Sequence, residues 1–142
     1  MPTDEKFQRT VEALAAEDPR YAPAAYGFVR EAVTHTTRQQ FPDGGGRRRV
    51  HITGRQLLEG FRVLALERFG CLAAEVLDDW GIRRTEDVGA LVFKLVGSGF
   101  LGATEEDSPA DFADGYDFAE AFGAPFRPRR GGRPPPDFPP VA

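Results

Sequence analysis

Apolar residues recur at helical spacing in the first forty residues of the chain. Between residues 5 and 17 they stand at i, i+4, i+7 and i+8, on one face of a predicted helix: Phe7, Val11, Leu14 and Ala15. Asp18-Pro19 ends this pattern, because the residue before a proline avoids the α region. A second helix is predicted from Pro23, which suits a first helical turn, to about Gln39. The sequence therefore predicts an N-terminal helical pair within residues 1–40.

The strongest helix signal in the chain begins at Thr53. Thr53 and Gln56 match the capping box, in which each side chain accepts a hydrogen bond from the other residue's backbone N–H. Six apolar residues follow with a period near 3.6: Leu57, Leu58, Phe61, Leu64, Ala65 and Phe69. Gly70 is expected to stop this helix, because glycine readily adopts the left-handed conformation found at helix ends.

Two further helices are predicted after Gly70. The first is short, from Leu72 to Trp80, and Gly81 is expected to close it. The second is expected to use Thr85 as its N-cap and to end near Ser98. It is strongly apolar, so we expect either that two of its faces are buried or that part of it forms a partner-binding patch.

Short strands are predicted after these helices, over residues 100–104 and 115–118, and the apolar-polar-apolar run of residues 50–52 is a candidate for a third strand before them. Three helices, a glycine-containing turn and a terminal hairpin are typical of a winged helix-turn-helix. The predicted fold is therefore mostly α with a small antiparallel β hairpin, and a winged-helix-like domain spans residues 50–125. The alternative is an all-α bundle in which residues 109–122 are helical.

Glycine, proline and charge mark the remaining segments. Three consecutive glycines and three arginines predict a flexible loop over residues 41–49. Residues 101–125 carry seven acids and no base, whereas residues 126–142 carry four arginines and six prolines. Because proline removes backbone donors and fixes φ, we expect residues 126–142 to form a disordered tail. The net charge of the chain is −4, so bulk charge does not favour nucleic acid.

The predicted third helix and wing carry the wrong charge for a DNA reader. Affinity for DNA depends on Lys and Arg side chains that neutralise phosphates, but the helix over residues 85–98 offers only Lys94 and the wing is acidic. We therefore expect a non-catalytic protein–protein interaction module whose partner has a basic surface. Its candidate binding residues are apolar or acidic: Phe93, Val96, Glu105, Glu106 and Asp107.

The alternative function is a nucleic-acid-binding regulator that uses the arginine clusters. Those clusters lie in the glycine loop, in the turn after Gly81 and in the proline-rich segment. The residues concerned are Arg47, Arg48, Arg49, Arg83, Arg84, Arg127, Arg129, Arg130 and Arg133.

Candidate catalytic residues are few. Cys71 is the single cysteine, and we interpret it as a small buried hydrophobe. His35 is expected to be solvent-exposed, and His51 to be a structural residue on a short strand. The sequence contains none of the common phosphate-loop, dinucleotide or zinc-protease motifs. We therefore predict no catalytic residue, metal or cofactor.

The sequence also bears on location. No apolar run approaches the ~20 residues that a membrane-spanning helix needs. The charged N-terminus lacks the apolar region of a signal peptide. We therefore predict a cytoplasmic protein that does not enter a membrane.

Several segments of the chain resemble a known family. They include residues 18–23 (DPRYAP), 25–32 (AYGFVREA), 51–54 (HITG) and 80–87 (WGIRRTED), together with Leu95-Val96, residues 104–108 and residues 116–118. Together they resemble an uncharacterised family of small bacterial proteins restricted to Verrucomicrobia, Planctomycetes and their relatives. The resemblance covers about residues 5–122. It implies a bacterial cytosolic protein and assigns no site residue.

Overall fold

The computed structural model describes residues 2–42, 52–101 and 109–123. These residues form five α-helices: α1 Pro2–Glu17, α2 Pro23–Gln40, α3 Gly54–Phe69, α4 Ala73–Asp79 and α5 Thr85–Gly97. A 3₁₀ turn, Gly70–Leu72, joins α3 to α4. A second 3₁₀ turn, Pro109–Phe112, and a π turn, Ala119–Gly123, follow α5. The order and approximate bounds of the helices agree with the apolar periodicity of the sequence.

The local signals around α3 are confirmed. The Thr53 hydroxyl accepts a hydrogen bond from the backbone N–H of Gln56 at 3.1 Å, and Gln56 Oε1 accepts one from the Thr53 N–H at 2.8 Å. At the other end, Gly70 has a φ of +54°, in the left-handed region that favours glycine. Both ends of α3 are therefore fixed by residues next to them in the sequence.

The predicted β hairpin and winged-helix fold are wrong for the residues that the structure describes. Residues 115–118 form no strand, Phe100 and Leu101 lie in bends, and Ile52 lies outside any regular element. Instead, the backbone N–H of Gly115 donates to the Thr85 hydroxyl on α5, and the side-chain hydroxyl of Tyr116 donates to the Leu58 carbonyl on α3. Residues 43–51, 102–108 and 124–142 lie outside the described residues. The all-α alternative, with helical turns within residues 109–123, fits the structure.

A single hydrophobic core joins all five helices. Helix α2 lies against both α3 and α5, so the core crosses the predicted boundary between the N-terminal pair and the rest. Gly60 allows α2 and α3 to approach closely, because a Cβ there would lie 1.8 Å from the Thr36 hydroxyl oxygen. Phe28 on α2 contacts three aromatic rings on the other side of this interface: Phe61, Phe69 and Trp80.

Two buried phenylalanines hold the last described turns against the helices. Phe112 and Phe122 belong to the same core as the helices. The Pro109–Phe112 turn contacts α3 and α5, and the Ala119–Gly123 turn contacts α3 and α4. Within the described ranges, no helix has the length and apolar character needed to span a bilayer.

Candidate functional site

The two predicted binding residues on α5 lie at its C-terminal half and are only half-buried. Phe93 packs edge-on against Phe112, with ring centroids 6.0 Å apart. Val96 is one turn further along the same helix, and Val92, also half-buried, lies one turn before Val96. We call these three residues, Val92, Phe93 and Val96, the α5 patch.

The single cation on α5 is neutralised by the loop between α1 and α2. Lys94 Nζ lies 3.1 Å from Asp18 Oδ2, and the Arg20 guanidinium lies 2.7 Å from the same oxygen. The Arg20 guanidinium and, less strongly, the Lys94 ammonium hold the pKa of the Asp18 carboxyl well below its usual range. The loop therefore removes the one positive charge that the middle of α5 would present.

A second contact ties the same loop to the start of α5. Tyr21, which is 2% exposed, donates a hydrogen bond from its hydroxyl to Asp87 Oδ1 at 2.6 Å. The other oxygen, Asp87 Oδ2, accepts from the backbone N–H groups of Arg83 at 2.9 Å and Arg84 at 3.1 Å. Burial, together with the bond to Asp87, raises the pKa of the Tyr21 hydroxyl well above its usual value. With both oxygens occupied, the Asp87 carboxylate orders the turn before α5.

Backbone contacts also hold the loop between α1 and α2 against the turn before α5. The Ala22 N–H donates to the Trp80 carbonyl at 3.1 Å. Gly81 has a φ of +88°, and a Cβ there would lie 1.9 Å from the Arg20 carbonyl oxygen, so only glycine fits. Two of the segments that carry the family resemblance, residues 18–23 and 80–87, therefore meet in space.

Thr85 has a different role from the predicted one. The N-cap of α5 is Arg84, and Thr85 is the first helical residue. The buried Thr85 hydroxyl donates to the Phe112 carbonyl at 2.6 Å and accepts from the Gly115 N–H at 3.0 Å. Gly89 lies beneath the Phe112 ring, where a Cβ would come within 2.7 Å of it. These contacts set Phe112 where it meets Phe93.

The arginines proposed for nucleic-acid binding are only partly placed. Arg83 and Arg84 are exposed in the turn before α5, and Arg83 Nε lies 2.6 Å from Asp78 Oδ1. The acidic candidates Glu105, Glu106 and Asp107 lie outside the described residues. So do the arginines of both flanking clusters: Arg47, Arg48, Arg49, Arg127, Arg129, Arg130 and Arg133.

Two predictions for the reactive residues are corrected. Cys71 is exposed, not buried, because Ala73 and Leu77 take the core-facing positions of this short segment. His35 is half-buried, not exposed, and its buried Nε2 has no hydrogen-bond partner among the described residues. His51 lies outside the described residues. In residues 2–42, 52–101 and 109–123, no three His, Cys, Asp or Glu side chains are grouped so that they could hold a metal ion.

Sequence reasoning missed the contacts of Tyr21 and Asp18 with α5, and the exposure of Leu72. The position of Asp87, three residues after the N-cap, indicates that its carboxylate binds the backbone at the start of α5, because an acid there accepts backbone N–H groups. Nothing local pointed to its tyrosine partner 66 residues away. Comparisons with protein-family models, with curated proteins and with solved structures find no match for this chain. Function is therefore inferred from the contacts described above.

Proposed function

We propose that this protein is a non-catalytic interaction module that binds another protein through the α5 patch. The observation that carries the proposal is that Phe93 and Val96 are only half-buried on a helix whose Lys94 is already paired with Asp18. Apolar side chains that remain accessible as a group, without charge among them, are typical of protein-binding surfaces. Because directional contacts at the start of α5 fix its position, the patch is presented without needing to rearrange on binding.

The partner offers apolar side chains within a basic surface. The three acids Glu105, Glu106 and Asp107 follow α5 closely in the sequence and carry no compensating base. Charges at the rim of an interface increase the association rate and select the partner, whereas the apolar centre contributes most of the affinity. Membership of the bacterial family, and a cytoplasmic location, stay predictions.

Ion pairing favours this proposal over nucleic-acid binding. Of the candidate nucleic-acid arginines, the structure describes Arg83 and Arg84, and Arg83 is held by Asp78, with Nε 2.6 Å from Oδ1. A phosphate that binds Arg83 would have to compete with that carboxylate.

Site-specific crosslinking tests the proposed surface. A photoreactive phenylalanine analogue in place of Phe93 keeps the aromatic contact with Phe112 and should give a covalent adduct with a protein in cells of the native host. The same analogue in place of Ala13, an exposed residue of α1, is the matched control and should give none. Equal adduct formation at both positions, or none at Phe93, would contradict the proposal.

Fluorescence anisotropy separates the two functions. We expect no binding of labelled duplex DNA or RNA by the purified full chain at low salt. Binding that weakens steeply as salt is raised would favour the nucleic-acid alternative, because counterion release makes such binding salt-dependent.

A further inference from the structure

An apolar row, exposed at Leu72 and half-buried at Val76 and Trp80, runs along one side of α4. Leu72, Val76 and Trp80 follow one another at i, i+4 and i+8, which places them in line on the helical segment. Leu72 is 54% exposed and is the large apolar side chain left exposed among the described residues. Trp80 is half-buried, and its ring packs edge-on against Phe69 with centroids 5.6 Å apart. The row therefore combines an accessible leucine with a tryptophan whose indole ring is held in place by Phe69.

Acidic side chains border this row. Glu75 and Asp79 are exposed, and neither forms an ion pair with another described residue. Asp78, one residue before Asp79, is already paired with Arg83 at 2.6 Å. We call the row and its two unpaired acids, Leu72, Glu75, Val76, Asp79 and Trp80, the α4 face. Such a surface suits a ligand with apolar rings and positive charges.

The chain itself supplies a segment of that chemistry directly after the last described turn. The Ala119–Gly123 turn contacts α4, so the chain leaves the described structure beside this helix. Arg127 follows four residues after Gly123, and Arg133 ten residues after it. At ~3.1 Å per residue, an extended proline-rich segment reaches across a helix of this length, which is about 10 Å long.

The spacing within that segment brings an arginine and two prolines into register. Arg133, Pro136 and Pro139 are three residues apart. The polyproline II conformation has three residues per turn, so these residues would share one edge of a bound segment, and Asp137 would lie on another. Proline-rich segments bind surfaces where aromatic and apolar side chains receive the prolines and acids receive the arginines.

We propose that residues 127–139 bind in cis to the α4 face. Pro136 and Pro139 pack on the row formed by Leu72, Val76 and Trp80. The arginines pair with Glu75 and Asp79. This contact covers the exposed Leu72 and is separate from partner binding at the α5 patch, so either proposal can fail without the other.

Trp80 is the single tryptophan of the chain and reports directly on its own surface. The test compares acrylamide quenching of its fluorescence in the full chain and in the double variant Arg130→Glu/Arg133→Glu. We expect the quenching constant to rise by about twofold in the variant, because a docked proline covers one face of the indole. The matched control is Arg47→Glu/Arg48→Glu, which makes the same charge change elsewhere and should leave quenching unchanged.

Two further measurements identify the contact. Adding Glu75→Arg and Asp79→Arg to the Arg130→Glu/Arg133→Glu variant should restore the lower quenching constant, since the ion pairs reform with reversed sign. Leu72→Ser should raise quenching without unfolding the protein, because this side chain is exposed. Far-UV circular dichroism checks that every variant stays helical.

Two results would overturn the proposal. One is equal quenching in the full chain and in the Arg130→Glu/Arg133→Glu variant. The other is a difference that grows with protein concentration, which would show that the segment comes from a second copy of the chain.

Discussion

The two ends of α5 are held by different kinds of contact. At its start, Asp87 and Thr85 make hydrogen bonds to residues far away in the sequence, among them Tyr21 and Phe112. Further along, Phe93 packs on Phe112 and Lys94 pairs with Asp18, while Phe93 and Val96 are only half-buried. Hydrogen bonds are directional and costly to leave unmade when buried, so they fix the N-terminal turn of α5 against the rest of the protein. Because that turn is fixed, the C-terminal half of α5 can keep an accessible apolar surface.

Breaking the fixed end at its tightest backbone contact should have the largest effect. We expect Gly81→Ala to lower the free energy of unfolding by about 3 kcal/mol or more, because its φ is +88° and its new Cβ would meet the Arg20 carbonyl. Urea denaturation measures the change. The control Gly27→Ala lies in the interior of α2 with no atom within 4 Å of the new Cβ, and should stabilise by about 0.5–1 kcal/mol. Similar effects at both positions would show that position 81 is not a close contact.

Removing the Thr85 hydroxyl should have the next largest effect. Thr85→Val leaves a buried carbonyl of Phe112 and the N–H of Gly115 without their partner, which should cost about 2 kcal/mol. Thr34→Val, at an exposed site where the hydroxyl bonds only to its own helix, should change stability by less than about 0.5 kcal/mol. Thermal unfolding of both variants checks this. A loss no greater than that of Thr34→Val would mean that residues 112–115 are anchored without this hydroxyl.

Two buried tyrosines provide a matched test of the contact between the α1–α2 loop and α5. Tyr21→Phe removes the hydrogen bond to Asp87 and should cost about 1.5 kcal/mol. Tyr26→Phe should be neutral or stabilising, because the Tyr26 hydroxyl is buried and has no hydrogen-bond partner among the described residues. Chemical denaturation of the two variants gives the difference directly. The reverse order of stability would contradict the assignment of Tyr21 as the residue that holds the loop on α5.

In the C-terminal half of α5, the expected loss of unfolding free energy is smaller. Val96→Ser should lower the free energy of unfolding by about 1 kcal/mol or less, since its side chain is only half-buried. Val88→Ser, in the fully buried part of the same helix, should cost about 2–4 kcal/mol. Equal losses in urea denaturation would show that the α5 patch belongs to the core and is not available to a partner.

The contact between Asp18 and α5 predicts a dependence on pH. The pKa of the folded Asp18 is lowered, so its contribution to stability is complete above the unfolded value of about 3.9 and is lost as the pH falls through the folded one. Asp18→Asn should therefore lose less stability than the wild type between about pH 5 and pH 2. Lys94→Gln should keep most of the wild type's loss of stability on acidification, because Arg20 still pairs with Asp18. Thermal midpoints across this range test both, and an identical loss in Asp18→Asn and wild type would exclude the effect.

Short-range signals predicted the helices well. The capping box of Thr53 and Gln56 and the stop at Gly70 were readable because both partners of each contact lie within a few residues of one another. The segment after α5 was not readable in this way. Gly115 and Tyr116 suggest a strand, but the Gly115 N–H binds the Thr85 hydroxyl on α5 and the Tyr116 side chain binds the Leu58 carbonyl on α3, 30 and 58 residues away. These tertiary contacts, and not strand propensity, decide the conformation of this segment.

The candidate site shows the same division. The apolar character of their helix points to Phe93 and Val96, but the accessibility of Phe93 depends on how Phe112 packs beside it. Cys71 and His35 were placed wrongly because neither residue type by itself decides which side of a helix faces the core. The exposure of Leu72 arises because Ala73 and Leu77 occupy the buried side of α4.

The amino-acid sequence by itself determined the helices of this protein, their approximate bounds and the separation of acidic from basic segments, because periodicity, capping and charge are local properties of the chain. Only the tertiary structure decided which polar groups meet, that Asp18 neutralises Lys94, and which apolar side chains are left for a partner. Those outcomes depend on contacts between residues distant in sequence, whose free energy is gained only once the core has formed.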